Sequence, residues 1–436
     1  MRLTWKIGIV LGLTLAISIP LLMIRAVIAD RVSYRNQALS DVAQSYGGKQ
    51  IFAGPVLIVP YTELDGGETG KLRVTRYWTF FPATLDVSGP LRPDTRKRGL
   101  HRINVYEWQG RALAHFAVKI PDDANPAAQR QIGQPWLSYG IADVRGLRAE
   151  PRLRIDGQAA TLEQGFGSRE GSGLHARLPA PAAGQSLTLD ADLELLLGGT
   201  ETLALSPLGG SNRFALASAW PHPSFSGRSP RHTLDANGFR ADWEIASVAS
   251  NAQQQFLNCR TAPASFRDDV VGVSLYDPVD VYTQSDRATK YGMLFVLLTF
   301  VGFFIFELTK RLRIHPIQYA LVGLGLAIFF LLLVSLSEHI EFFQAYLAAG
   351  VACIGLLGFY LSAVLRSLAR SLGFSAMLAM LYAALYGLLI SEDNALALGA
   401  GLLFVALAAI MTVTRQLDWY QFAGGQGGTH AMPRDE

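Results

Sequence analysis

The residues best placed to do chemistry stand at the ends of apolar runs. Glu338, His339 and Glu341 close one such run, and Glu392 and Asp393 close another. Carboxylates beside an imidazole can relay protons or hold a cation. The same residues also suit interfacial caps and topology markers, because all of them fall at helix ends, where water is near. Glu307 stands closer to the interior of its run, with Lys310 and Arg311 three and four residues on. That spacing predicts an ordinary helical ion pair. His315 follows in the same basic collar, after Arg313. In a more polar part of the chain, Trp220-Pro221-His222-Pro223-Ser224-Phe225 sets a histidine between two prolines and flanks it with aromatics. So stiff a loop can present a binding surface, although plugging a core is the simpler role. His222 and His232 are a potential pair of metal ligands, but no third ligand follows at a recognisable spacing.

No G-x-S-x-G elbow, H-E-x-x-H or phosphate loop occurs. Catalytic residues, a cofactor site and a metal site are therefore not assigned. The candidate polar positions are Glu307, His315, Glu338, His339, Glu341, Glu392, Trp220 and His222.

The elements that must position these residues fall into two kinds. Ile7 to Met23 is apolar after Arg2 and Lys6. Val27-Ile28-Ala29 would pass as a cleavage site, but the run exceeds a usual signal core, which favours a retained transmembrane anchor over 1–29. Val32, Leu39, Val42 and Tyr46 recur at helical spacing, so the helix should continue through 30–48 until Gly47-Gly48 ends it. From 49 to 289 the period changes to two, the mark of half-buried strands. Leu187 to Leu195, Ala112 to Ile120 and Phe239 to Ile245 each alternate in this way. Asp156-Gly157 and Asn237-Gly238 are hairpin signals between such runs. Ala127 to Leu137 reads as a short helix.

Over 290–415 the chain is apolar enough for five transmembrane helices, at about 291–308, 317–336, 345–365, 372–390 and 395–413. Ser375, Ala379, Ala383 and Gly387 recur every four residues there, as a close helix seam requires. The fold class expected is a membrane protein of α+β type. It has an N-terminal anchor helix, a large and mainly antiparallel β domain, a five-helix bundle, and a tail over 416–436.

Totals and charges agree. Half of the 436 residues are hydrophobic and 17% are charged, which suits a protein in a lipid bilayer. A net charge of +3 gives no reason to expect nucleic acid. Cys259 falls in the strand-rich part and Cys353 in an apolar helix, so they should not pair. The basic residues Lys310, Arg311 and Arg313, then Arg366, Arg370 and Arg415, alternate along the helices with the acidic loops around Glu338 and Glu392. By the positive-inside rule both termini are cytoplasmic and the β domain lies outside.

Several phrases then add up: Gly54-Pro55, Arg98-Gly99, Asp143-x-Arg145-Gly146, Trp220 to Phe225, Gly238-Phe239 with Trp243, and Asp277-Pro278-Val279-Asp280-x-Tyr282. In the apolar part they are Lys290-Tyr291-Gly292, His315 to Tyr319 with Val322-Gly323, Ser335 to His339, Thr414-Arg415 and Trp419-Tyr420. Together they resemble the CreD family of bacterial inner-membrane proteins. One departure is Ala142-Asp143-Val144-Arg145-Gly146, where that family would have Ser-Asp-Pro-Arg-Gly. The resemblance implies a multi-pass inner-membrane protein with a periplasmic β domain, tied to envelope integrity, stress and colicin tolerance. It implies expression under a two-component system, and it brings no catalytic residues. The function expected is non-enzymatic, with an envelope protein, lipid or glycan as partner. The alternatives are a transporter of a lipid, ion or small solute, and a membrane-bound enzyme acting on envelope material. The oligomeric state is not fixed by any of these residues.

Overall fold

The computed structural model describes residues 3–65, 72–99, 101–122, 130–167, 171–258, 269–275, 281–309, 314–391 and 395–415. Lys310, Arg311, Arg313, Glu392, Asp393, Cys259, the phrase Asp277 to Asp280 and the tail lie outside them. The chain forms two compact units, Met1–Tyr34 with Val279–Glu436, and Arg35–Pro278.

The strand-rich unit is built on the period-two rows. Among the described residues its first sheet has nine strands, including β1 (Gln50–Asp65), β2 (Leu72–Phe80), β6 (Trp136–Ile141), β12 (Thr202–Ser206) and β17 (Val271–Leu275). Its second has eight among the described residues, including β3 (Thr84–Arg98), β4 (His101–Lys119), β7 (Arg152–Ile155), β11 (Ser186–Thr200), β13 (Ser211–Ser218), β15 (Arg231–Asp235) and β16 (Gly238–Ala246). Most neighbours are antiparallel, as the patterning requires, but β1 runs parallel to β12 and β13 parallel to β3. One apolar core draws on both sheets: Phe52 of β1 meets Trp108 of β4 edge-on at 5.6 Å, and Trp108 is fully buried. The unit is therefore a sandwich.

The Asp156-Gly157 turn has both residues at positive φ (49° and 80°), the type I′ geometry that matches strand twist. The expected helix over Ala127 to Leu137 does not form in its described part: Gln131–Ile132 is β5, and Trp136 opens β6. Ile132 pairs with Tyr61 and Leu137 with Leu57. An open edge of β1 wins over the modest helical propensity of Ala and Gln, since tertiary pairing overrides local preference.

The other unit is helical. It holds the first part of α1 (Leu3–Tyr46), then α3 (Val281–Thr309), α4 (Pro316–Ser337), α5 (Phe342–Val364), α6 (Leu368–Ile390) and α7 (Ala395–Thr414); α2 is the short Ala252–Asn258 helix in the sandwich unit. Among the described residues five helices are long and apolar enough to cross a membrane, and the apolar stretch of α7, Leu396–Thr412, is shorter. α3 begins ten residues before the apolar run at Tyr291, because Val281 to Lys290 is helical but polar; hydropathy alone sees only the greasy part. Aromatic rings fill the centre: Tyr382 of α6 lies 4.6 Å from Phe295 of α3 and 4.5 Å from Phe329 of α4. The Tyr346 hydroxyl of α5 donates to the Tyr382 carbonyl at 2.8 Å.

The small-residue stripe of α6 is not the buried seam the sequence suggests. Ser375 touches the Gly358 position, but Ala379, Ala383 and Gly387 are exposed among the described residues. The face turned inward is Phe374, Leu378, Tyr382, Leu385 and Leu389, because large side chains bury more apolar area than alanines do.

Candidate functional site

The densest polar arrangement lies in the sandwich unit, where α1 ends. Ala38 and Val42 of α1 pack on Ile103 and Val105 of β4, with Leu39 and Tyr46 against the same cluster. Gly47 closes the helix at φ 92°, its N–H donating to the Ala43 carbonyl at 2.9 Å. A side chain there would meet backbone, since a Cβ on Gly47 would sit 2.8 Å from Gly146 Cα and 2.9 Å from the Gly198 oxygen. The next residues are held by a buried amide and a carboxylate. Gln50 is fully buried, and its Nε2 donates to the carbonyls of Asp143 (2.9 Å) and Gly198 (3.0 Å) while its Oε1 accepts from Asp143 N–H (3.1 Å). Asp143 Oδ2 accepts from Gly48 N–H at 2.9 Å, and both Asp143 oxygens take the Arg145 fork at 2.8 Å. The Arg145 guanidinium holds the Asp143 carboxyl below its ordinary pKa despite partial burial.

Cations complete the clamp. The Arg148 guanidinium stacks 3.7 Å from the Tyr46 ring centre, and its Nη1 donates to the Ser45 carbonyl at 3.4 Å. That places positive charge at the helix C-terminus, where the dipole favours it. The Tyr46 hydroxyl donates to Glu107 at 3.1 Å, and burial raises its pKa. Glu201 meets Lys49 at 3.1 Å and Arg35 at 3.9 Å. Nothing here pairs a nucleophile with a base. The arrangement holds a helix end against two strands through glycines that leave no slack.

The positions singled out from sequence in the helical unit are placed as follows. Glu338 ends α4 with its side chain 7% exposed, 3.3 Å from Arg31 Nε of α1, and it accepts from the Tyr282 hydroxyl of α3 at 3.4 Å. Arg25 and Lys290 hold Asp286 nearby, at 3.2 Å and 2.7 Å. His339 Nδ1 faces the Ser335 carbonyl at 3.1 Å. Glu341 is exposed at the start of α5 and makes no side-chain cap. The expected meeting with Glu392 and Asp393 falls outside the described residues.

Glu307 is 3% exposed and accepts from the Ile314 N–H at 3.1 Å and the Tyr319 hydroxyl at 2.9 Å; the Lys310 and Arg311 of its expected ion pair are not among the described residues. The space beside it is about 10 Å³, room for roughly one water. His315 caps α4: its Nδ1 accepts from Ile317 N–H at 3.4 Å, and Gln318 Oε1 accepts from His315 N–H at 3.1 Å. The phrase His315 to Tyr319 is thus a helix start followed by the partner of Glu307. A wider groove of about 380 Å³ runs between α3, α6 and α7, with apolar side chains such as Met377, Met380 and Leu381 along it, and none of the candidate positions lines it.

In the sandwich unit Trp220 packs on the shared core, and its Nε1 donates to the His222 carbonyl at 2.9 Å. Phe225 inserts among His232, Phe239 and Trp243 at 5.0 to 6.0 Å. The His222 side chain is exposed. The loop therefore plugs the core through its aromatics. Among the described residues no three His, Cys, Asp or Glu side chains are grouped to hold a metal ion.

Sequence reasoning did not find Gln50, Arg148, Glu201, Arg31 or Tyr319. The only signals of the clamp were its glycine pairs and the Asp143-x-Arg145-Gly146 phrase.

The comparisons with known proteins cover almost the whole chain. A family model described as "Inner membrane protein CreD" matches residues 2–420. The inner membrane protein CreD of Escherichia coli (strain K12) is 36% identical over 429 residues, which is 97% of this chain and 94% of that protein.

Proposed function

The chain belongs to the CreD family of inner membrane proteins, and from that premise we propose that it is a non-enzymatic protein of cell-envelope integrity and stress tolerance. The β sandwich is its periplasmic body and contacts an envelope protein, lipid or glycan. The helices anchor that body, with both termini in the cytoplasm, and pass its state inward.

One observation carries the reading. α1 is a single helix from Leu3 to Tyr46 that takes part in both compact units. Its Ile17, Leu21, Ile24 and Ile28 belong to the core of the helical unit, and its last turns are gripped by the clamp around Gln50 and Asp143. A helix gripped at its end by close backbone contacts suits mechanical coupling, because packed cores shift between discrete arrangements rather than stretch. Transport is less well supported, since the wide groove is apolar and the room beside Glu307 holds about one water.

The test is complementation of a deletion strain challenged with a cell-wall antibiotic and with colicin. The full chain should restore tolerance, while a chain with α1 broken by Ser33→Pro, expressed at the same level in the membrane, should not. Restoration by the helical unit alone, without residues 49–275, would overturn the proposal.

A further inference from the structure

No described side chain of α7 is buried. The helix leans on the rest of the helical unit through Gly399, Leu402, Ala406 and Ile410, which are half-buried. What it leaves open against α3 and α6 is the apolar groove of about 380 Å³. The directions of the three helices give that groove two ends. Phe295 meets Tyr382 and Phe303 meets Phe374, so α3 and α6 are antiparallel. A Cβ on Gly399 would lie 3.9 Å from Leu388, so the start of α7 adjoins the end of α6. One end of the groove is therefore marked by Phe306, Met377 and Ile410, and the other by Leu298, Ala384 and Leu402.

Length says what can lie there. On α3 the lining spans 298–306, about 12 Å of helix. The hydrocarbon of one leaflet is about 15 Å deep, half of the bilayer core. The groove thus fits an acyl chain lying along the helices in one leaflet, and it stops short of a path across both. Lipid tails are as apolar as leucine, so nothing drives such a groove to close on itself and a tail can fill it.

The end at Phe306, Met377 and Ile410 is the basic one. Arg370 stands seven residues before Met377, on the same side of α6 as Leu381 and Ala384. Arg370 and Arg415 are exposed, and neither has an acidic partner among the described residues. Glu307, the acid near this end, accepts from Ile314 N–H and the Tyr319 hydroxyl instead. Depth places the two arginines alike. Arg370 is eleven residues from Leu381, the middle of the apolar run 372–390, and Arg415 is eleven from Phe404, the middle of Leu396–Thr412. Such a separation is about 16 Å of helix, just beyond the hydrocarbon of one leaflet and level with its headgroups.

We propose that the groove between α3, α6 and α7 seats one acyl chain of an anionic phospholipid, whose headgroup is held by Arg370 and Arg415. Arginine suits the task, since its fork grips phosphate oxygens while its stem lies along apolar surface. Basic pockets between membrane helices bind anionic headgroups in this way. The lipid packs α7 onto a unit that its own side chains grip only weakly. The proposal concerns the helical unit alone and stands whether or not the envelope role holds.

Native mass spectrometry of the full-length protein, released from nanodiscs of phosphatidylcholine and phosphatidylglycerol in equal amounts, counts the lipids that stay bound. The wild type should keep one phosphatidylglycerol per chain, several-fold in preference to phosphatidylcholine. Ala406→Phe puts a ring into the groove and should lose the bound lipid of either kind. Arg370→Gln/Arg415→Gln should keep a lipid but take the two kinds alike, with unchanged melting in detergent. Equal retention of the two lipids by the wild type, or retention of neither, would overturn the proposal. So would a preference that survives in the double variant, or a lipid kept by Ala406→Phe. A lipid-free dimer that Ala406→Phe splits would assign the groove to a second copy of the chain and overturn it as well.

Discussion

Gln50 shows how much a single side chain can fix. Its amide satisfies the carbonyl and N–H of Asp143 and the carbonyl of Gly198 in β11, where burial would otherwise leave backbone groups unpaired. Gln50→Leu keeps the bulk and removes those partners. It should cost about 2–4 kcal/mol, since each buried polar group left unmet costs about 1–3, and a thermal melt of the full chain in detergent measures it. Gly146→Ala should be at least as damaging, because its Cβ would fall 2.3 Å from the Gly198 oxygen and 2.5 Å from Gln50 Nε2. Asp143 adds a pH signature. Arg145 depresses its folded pKa, so its contribution is complete above the unfolded carboxyl value of about 3.9 and is lost as pH falls through the lower folded value. The melting difference between wild type and Asp143→Asn should therefore be constant from about pH 7 to pH 5 and should shrink only below about pH 4. A difference that changed between pH 7 and pH 5 would assign the titration to another group.

At the scale of elements, the seam between α1 and α4 rests on Gly323. A Cβ there would stand 2.7 Å from Ile17 Cγ1 and 2.7 Å from Phe300 Cζ, both buried side chains. Gly323→Leu should force α1 away from α4 at a cost of about 1–3 kcal/mol or more, the usual range for overpacking. Crosslinking yield between cysteines placed at Leu13 and Leu324 would report the separation. Gly350→Ala, where nothing lies within 4 Å, is the matched control and should melt like wild type. Elements were legible wherever one face was consistently apolar. The alternating rows of β4, β11 and β16 and the helices α4 to α6 lie close to where periodicity puts them. The misreadings have a common cause. Gln131–Ile132 and Trp136 onward became strands because β1 offered them pairing partners, and α6 turned its aromatics inward and left alanines of its small-residue stripe exposed. Each outcome depended on a neighbour distant in sequence.

For the whole molecule, the charge pattern and the proposed role make the same demand on sidedness. A cysteine at the exposed residue Asp235, the last of β15, in a chain lacking Cys259 and Cys353, should react with an impermeant maleimide added outside spheroplasts, and a cysteine at Arg415 should react only after lysis. The reverse pattern would remove the periplasmic body from the proposal. Sequence alone determined the broad plan: an apolar start, a long strand-rich middle, and a run of greasy helices. Those features follow from burial and hydrogen-bond needs that each segment carries locally, at periods of two and 3.6 residues. Tertiary structure alone decided which polar residues meet. Glu338 found Arg31 and Tyr282, Glu307 found Tyr319, and Asp143 joined Gln50 and Gly48 across more than ninety residues. A hydrogen bond requires two groups within about 3 Å, and no spacing along a chain encodes that distance until the core has brought its strands and helices together.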